Sequence, residues 1–292
     1  MSTPAPDPAL AHFGRDGLRP FDTAGSYGMR LPETARTQLT EVGVPVHVPP
    51  YFRASDEGDA FPLGVFAGQQ GRDRPPAELE NWARIGDDGL AQLCVRPDGA
   101  VQAVFLGAEE DDMFVNTHPA ALNEGLAVLD RVLPVIAASS DLPEAAAAFR
   151  ELNEDLRRID AAAFEERESW WPRVLDDVRH TLNFPFSAAF EYLDDAGRKQ
   201  ITTGATGPGR AHPEEIVWRR LQREGVPVER VRRVYTELAP CMMPGHYCAA
   251  WMLRAFPHAE FTHSFDYGSD TASRETGIKE LITYAAERAE RR

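Results

Sequence analysis

Thr236-Glu237-Leu238-Ala239-Pro240-Cys241-Met242-Met243-Pro244-Gly245-His246-Tyr247-Cys248 decides how the second half of this chain folds. The apolar, β-favouring residues leading into it predict a strand over Val228–Leu238. Those leading out predict a helix over Tyr247–Phe256, and a Pro/Gly turn joins the two. Two of the three cysteines stand at this junction. A thiolate at a helix N-terminus is stabilised by the helix dipole and free backbone N–H groups, so Cys248 is placed to bind metal or to react. One helix and one strand upstream stands His212-Pro213-Glu214.

Working outward, Ser187–Leu193 and Lys199–Thr203 read as strands, with Asp194-Asp195-Ala196-Gly197 as their hairpin turn. Gly204–Gly209 reads as a flexible loop. His212–Glu224 is a predicted helix with Ile216, Val217 and Leu221 facing inward, and Gly225 ends it. A strand over Ala259–Tyr267 and an amphipathic helix from about Arg274 to Arg288 complete the half. The order ββαβαβα implies a sheet with helices packed on its faces.

The chemistry follows from residue types and their order. Catalytic zinc takes three protein ligands, often Cys and His, and keeps a fourth position for water, whose pKa it lowers to about 7. His212, Cys241 and Cys248 supply three ligands, each group at a helix start and one strand apart on the same sheet edge. Glu214, two residues beyond His212, is placed to carry a proton from that water to a ring nitrogen and on to departing ammonia. His-x-Glu followed by Pro-Cys…Cys is the signature of zinc deaminases. A structural zinc with the same ligands is the alternative. Phe265 and Tyr267 either stack on a base or pack in the core, and Arg274 either meets a phosphate or is a solvated charge. No substrate-binding residue is identifiable.

Thr236-Glu237-Leu238-Ala239-Pro240-Cys241 and Pro244-Gly245-His246-Tyr247-Cys248 resemble the cytidine-deaminase-like superfamily, closest to deaminase domains of bacterial polymorphic toxin systems. The resemblance covers about Phe186–Arg292 and implies an α/β three-layer domain. It implies His212, Cys241 and Cys248 as ligands of Zn2+ and Glu214 as the proton shuttle. One departure stands out: the cysteines are spaced C-x6-C rather than C-x2-C. The enlarged loop brings His246 into question, either as a replacement ligand or as a substrate contact.

The first half has a different character. Residues 1–28, rich in Pro, Asp and Gly, read as a loosely ordered leader. Leu31–Val42 is a predicted helix stopped by Gly43. Strands are predicted at Leu63–Ala67, Trp82–Gly86, Leu90–Val95 and Val101–Leu106, the last three as a meander with turns at Gly86-Asp87-Asp88-Gly89 and Pro97-Asp98-Gly99. Asn116 or Thr117 is placed to cap a helix over Pro119–Val135. Leu39-Thr40-Glu41-Val42-Gly43-Val44-Pro45, Ile85-Gly86-Asp87-Asp88-Gly89 and Phe114-Val115-Asn116-Thr117 resemble the SUKH superfamily, which includes many bacterial immunity proteins. That implies an α+β protein-binding module. His118 and Cys94 read as cap and core residues. Asp141–His180 reads as helical, with Trp170 and Trp171 as core anchors or an exposed partner-binding pair. Thr181–Phe186 reads as the domain junction, because Pro185 interrupts any continuing helix.

The expected organisation is therefore a leader at 1–28, a SUKH-like domain at 29–140, a helical extension and linker at 141–184, and a deaminase domain at 185–292. The 292 residues fit two domains. No run approaches the roughly 18 apolar residues of a membrane helix, and no signal-peptide core is visible. A cytoplasmic setting is expected, where three cysteines serve metal or catalysis rather than disulfides. The net charge of −15 is uneven: residues 185–292 hold 15 basic and 15 acidic side chains, so the first 184 hold 16 basic and 31 acidic. An acidic first half suits a basic protein partner, or simply solubility. The neutral second half favours a free nucleoside or nucleotide over long nucleic acid. The expected function is zinc-dependent deamination of a nucleobase. The alternative is a non-catalytic immunity or partner-binding protein whose zinc is structural.

Overall fold

A computed structural model describes residues 7–23, 29–56, 61–72, 75–107, 110–183 and 185–291. Residues 1–6 and 24–28 of the expected leader, and Phe184 of the expected junction, lie outside the described residues. The chain divides into two compact units, Met1–Val135 with Ala147–Val174, and Ile136–Ala146 with Leu175–Arg292.

In the first unit, the described strands His47–Val48, Phe52–Ala54, Ala83–Asp87, Gln92–Val95, Val101–Val104 and Met113–Asn116 pair in that order. Phe61–Pro62 adds to Ala83–Asp87, and every pairing is antiparallel. The predicted meander forms, because its turns carry their own acceptors. Asp88 Oδ1 accepts from the N–H groups of Leu90 and Ala91, and Asp98 Oδ1 from that of Ala100. Leu63–Gln69 is a helix rather than a strand. Leu63, Phe66 and Ala67, spaced i, i+3, i+4, pack with Cys94, Val104 and Leu106. A short apolar run does not by itself distinguish the two periods.

Leu31–Val42 resolves into an α-helix, Glu33–Thr37, and a π-turn, Gln38–Val42, which Gly43 ends at φ +84°. Pro8–Phe13 is helical and Phe21 is buried. Pro119–Ala138 is the predicted helix, but its first turn is capped by His118, whose Nδ1 accepts from Ala121 N–H at 3.1 Å. Thr117 and Asn116 instead donate to Asp160 Oδ2. Trp170 and Trp171 are core anchors. Both are buried, with indole N–H groups donating to Asp88 Oδ2 and Asn116 Oδ1 at 2.9 Å.

In the second unit, four strands run in the order Lys199–Ala205, Ser187–Leu193, Val231–Leu238, Glu260–Phe265. The first two pairings are antiparallel and the last is parallel. Helices Pro213–Arg223 and Cys248–Ala255, with the C-terminal Thr271–Glu290, complete the ββαβαβα order. A parallel neighbour requires a crossover, and Cys248–Ala255 is that crossover. Gly204 lets Pro213–Arg223 pack close, since a Cβ there would lie 2.8 Å from Val217 Cγ2. Phe190, Val217, Leu221, Val234, Met252 and Phe256 form the core beneath the cysteines. The chain thus combines an α+β unit with an α/β unit of sheet and helices. Among the described residues no helix is long and apolar enough to cross a membrane.

Candidate metal centre

His212 is the N-cap of helix Pro213–Arg223, and Cys248 is the first residue of helix Cys248–Ala255. Cys241 follows the end of strand Val231–Leu238. Six residues separate the cysteines, yet the chain doubles back over them. Met243 C=O accepts from both His246 and Tyr247 N–H, and Ala249 N–H donates to Cys241 C=O. Gly245 at φ +78° and Tyr247 at φ +43° make the reversal.

As a result His212 Nδ1 lies 3.3 Å from Cys241 Sγ and 3.5 Å from Cys248 Sγ, all three residues buried. An imidazole nitrogen and a thiolate on one tetrahedral zinc are about 3.6 Å apart, from Zn–N of about 2.0 Å and Zn–S of about 2.3 Å. The donor set and its spacing fit zinc. A second observation agrees. Glu214 is only 3% exposed, and its Oε2 has no hydrogen-bond partner among the described residues. A buried carboxylate oxygen left unpaired is costly unless a ligand or water meets it. Glu214 lines one cavity with His212, Cys241, Phe186, His180 and Tyr267. Its empty volume is about 290 Å3, counted out to open solvent.

The electrostatics are those of a tightly coupled group. Burial pushes the Glu214 carboxyl up to about 7, the nearby His212 opposing and Cys241 assisting. Burial also opposes charge on Cys241, but the Cys248 hydrogen bond and His212 hold its pKa well below the ordinary thiol value. Burial and the Cys241 thiolate push Cys248 up. The pair therefore shares its proton unevenly, and a bound metal would displace what remains. Tyr267 is held strongly in its neutral form by burial.

The structure surrounds His212 with groups that no motif announced. Asp177, in helix Trp170–Asn183, receives His212 Nε2–H on Oδ1 at 2.8 Å. Burial would raise its pKa, but His246 and His212 more than offset that and hold it well below the carboxylate range. His246 does not join the cysteines. Its ring stacks on that of His212, centroids 3.9 Å apart and planes within 4°. Its Nδ1 faces Glu215 Oε2 at 2.7 Å and its Nε2 faces Asp177 Oδ2 at 3.2 Å. With ionised carboxylates on both nitrogens, both N–H groups donate and the ring is an imidazolium. Burial and His212 oppose this charge, yet Asp177 and Glu215 raise its pKa to about 9.

Tyr267 lines the cavity, its OH 2.6 Å from His180 Nδ1, whereas Phe265 packs with Leu238, Ile278 and Leu281. Arg274 is buried rather than solvated, donating to Ser269 C=O and Thr271 Oγ1. Asp177 and His180 were missed because they lie some thirty residues before the first motif. The available signal was an Asp and a His three apart in a helix whose Val174, Leu175, Val178 and Leu182 are buried.

Against known families, a Xanthomonas-like deaminase model matches residues 185–284. That segment contains His212, Glu214, Cys241 and Cys248, while Asp177 and His180 precede it. No curated protein and no solved structure matches the chain. The remaining match spans residues 8–177, more than half of the chain and all of the strand meander with its buried tryptophans. On that match the chain belongs to the SUKH-4 immunity protein family.

Proposed function

We propose that the second unit catalyses zinc-dependent hydrolytic deamination of a nucleobase carried by a nucleoside, nucleotide or nucleic acid. The observation that carries this reading is the convergence of His212, Cys241 and Cys248 beside Glu214, whose Oε2 has no hydrogen-bond partner among the described residues. The match to a deaminase family supports it. His212, Cys241 and Cys248 would hold the metal, which supplies Lewis-acid activation of water when bound. Glu214 holds and moves the proton. Its carboxyl, which burial raises to about 7, carries one proton of the attacking water to the ring nitrogen and then the second to the departing amine, which leaves as ammonia. Phe186 and Tyr267 supply aromatic surface to the cavity in which a planar base would sit. The first unit, with its acidic excess, serves to bind a protein partner. The three cysteines are free, as suits a reducing, cytoplasmic setting.

Purified protein is expected to carry about one zinc per chain and to release ammonia from one member of a nucleoside, nucleotide and oligonucleotide panel. Glu214→Gln should keep the zinc and lose turnover about 10²–10⁴-fold. Full turnover in Glu214→Gln would defeat the mechanism.

A second reading has its own support, because the SUKH-4 match covers the larger part of the chain. In it the protein is a non-catalytic immunity or partner-binding protein, and the metal is structural. Recovery of one stable partner, with no ammonia released across the panel, would select it.

A further inference from the structure

The hydrogen bonds around His212 close on themselves. Its ring Nε2–H donates to Asp177 Oδ1 at 2.8 Å, and Asp177 Oδ2 receives His246 Nε2–H at 3.2 Å. His246 Nδ1–H donates to Glu215 Oε2 at 2.7 Å, and that same oxygen accepts the backbone N–H of His212 at 3.0 Å. The circuit leaves His212 through its side chain and returns through its main chain. Asp177, His212 and His246 are buried and Glu215 is mostly so, its side chain 12% exposed, and the two imidazoles lie face to face at 3.9 Å. Three separate elements contribute: helix Trp170–Asn183, the first turn of helix Pro213–Arg223, and the loop between the cysteines.

We infer that Asp177, Glu215 and His246 form a closed clamp that positions His212 to present Nδ1 to the metal, and that the long loop between the cysteines exists to bring His246 into it. The inference rests on the metal reading of His212, Cys241 and Cys248. A single carboxylate can orient a ligating imidazole. Here the carboxylate is itself fixed by a second imidazole, and the cap residue's backbone is fixed by the same circuit. His212 therefore has neither a free torsion nor a free tautomer, since the proton is held on Nε2. Asp177 lies outside the segment matching the deaminase family, so the clamp draws on residues beyond that segment. These are positioning residues, acting on the metal through His212.

The test uses the full chain, stripped of metal and reloaded, with zinc affinity read by competition against a chromophoric chelator. Cobalt-loaded protein reports ligand geometry through its visible absorption. Asp177→Asn and His246→Gln should each weaken zinc binding about 10–100-fold and alter the cobalt spectrum. Glu215→Gln should stay within about threefold of the parent, because its amide oxygen still accepts both N–H groups. Melting temperatures of the stripped variants separate clamp from scaffold: a merely structural role lowers them while leaving affinity and spectrum unchanged. If Asp177→Asn does not fold, His246→Gln decides. Affinity within twofold and an unchanged cobalt spectrum in folded Asp177→Asn and His246→Gln would overturn the clamp alone. A parent chain that takes up no zinc would overturn the metal reading and the clamp together.

Discussion

His180 shows how burial converts one residue into a dependence on pH. It is buried beside Tyr267, and burial, with Arg179 next in sequence, pushes its pKa down to about 4 from 6.5. The unfolded chain then binds the proton first. The stability from keeping His180 neutral is fully present above about pH 6.5 and lost as pH falls towards 4, amounting to about 3 kcal/mol. Urea denaturation of the parent and His180→Asn at pH 7, 5.5 and 4.5 should show the variant less stable at pH 7 but losing less on acidification. Parallel curves across this window would refute the assignment. Glu214 illustrates the opposite use of burial, where a carboxyl is raised towards neutrality with no hydrogen-bond partner for Oε2 among the described residues.

Among the elements, the C-terminal helix Thr271–Glu290 carries a glycine where propensity argues for alanine. Replacing a mid-helix glycine by alanine ordinarily gains about 1 kcal/mol. At Gly277, however, a Cβ would lie 1.8 Å from the carbonyl oxygen of Asp266 and 3.8 Å from Leu238 Cδ2. Backbone cannot yield as a side chain end can, so the overlap should win. Gly277→Ala is expected to destabilise by about 1–3 kcal/mol, read as a lower urea midpoint. A neutral or stabilising result would mean the helix shifts freely. Element types in this unit were legible because periodicity and punctuation agreed. Gly225 follows one helix, Asp194–Gly197 turns one hairpin, and a Pro/Gly turn precedes another helix. In the first unit, Leu63–Gln69 was not legible as a helix, because a short apolar run shows the partners it needs only after folding.

On the scale of the molecule, the chain joins a SUKH-4 unit to a unit matching a deaminase family. A metal bound to the folded second unit and not to the unfolded chain adds stability by mass action, about 4 kcal/mol when free zinc is a thousandfold above Kd. Calorimetry in excess EDTA should therefore move an unfolding transition to lower temperature, and added zinc should restore it. An unchanged thermogram would argue against a metal held by His212, Cys241 and Cys248.

The sequence by itself determined the ββαβαβα order and singled out His212, Cys241, Cys248 and Glu214, which the fold brings together beside one cavity. Those depend on local signals: helix starts, turn residues, and the spacing of donor atoms along the chain. Only the tertiary structure decided what encloses them. Asp177 lies 35 residues before His212 and His246 lies 34 after it, and no pattern along the chain relates such separations. His246, open in sequence between metal ligand and substrate contact, is held between two carboxylates and stacked on His212. The reason is that burial lets a charged imidazole persist only where opposite charges already meet it, and that meeting is a property of packing.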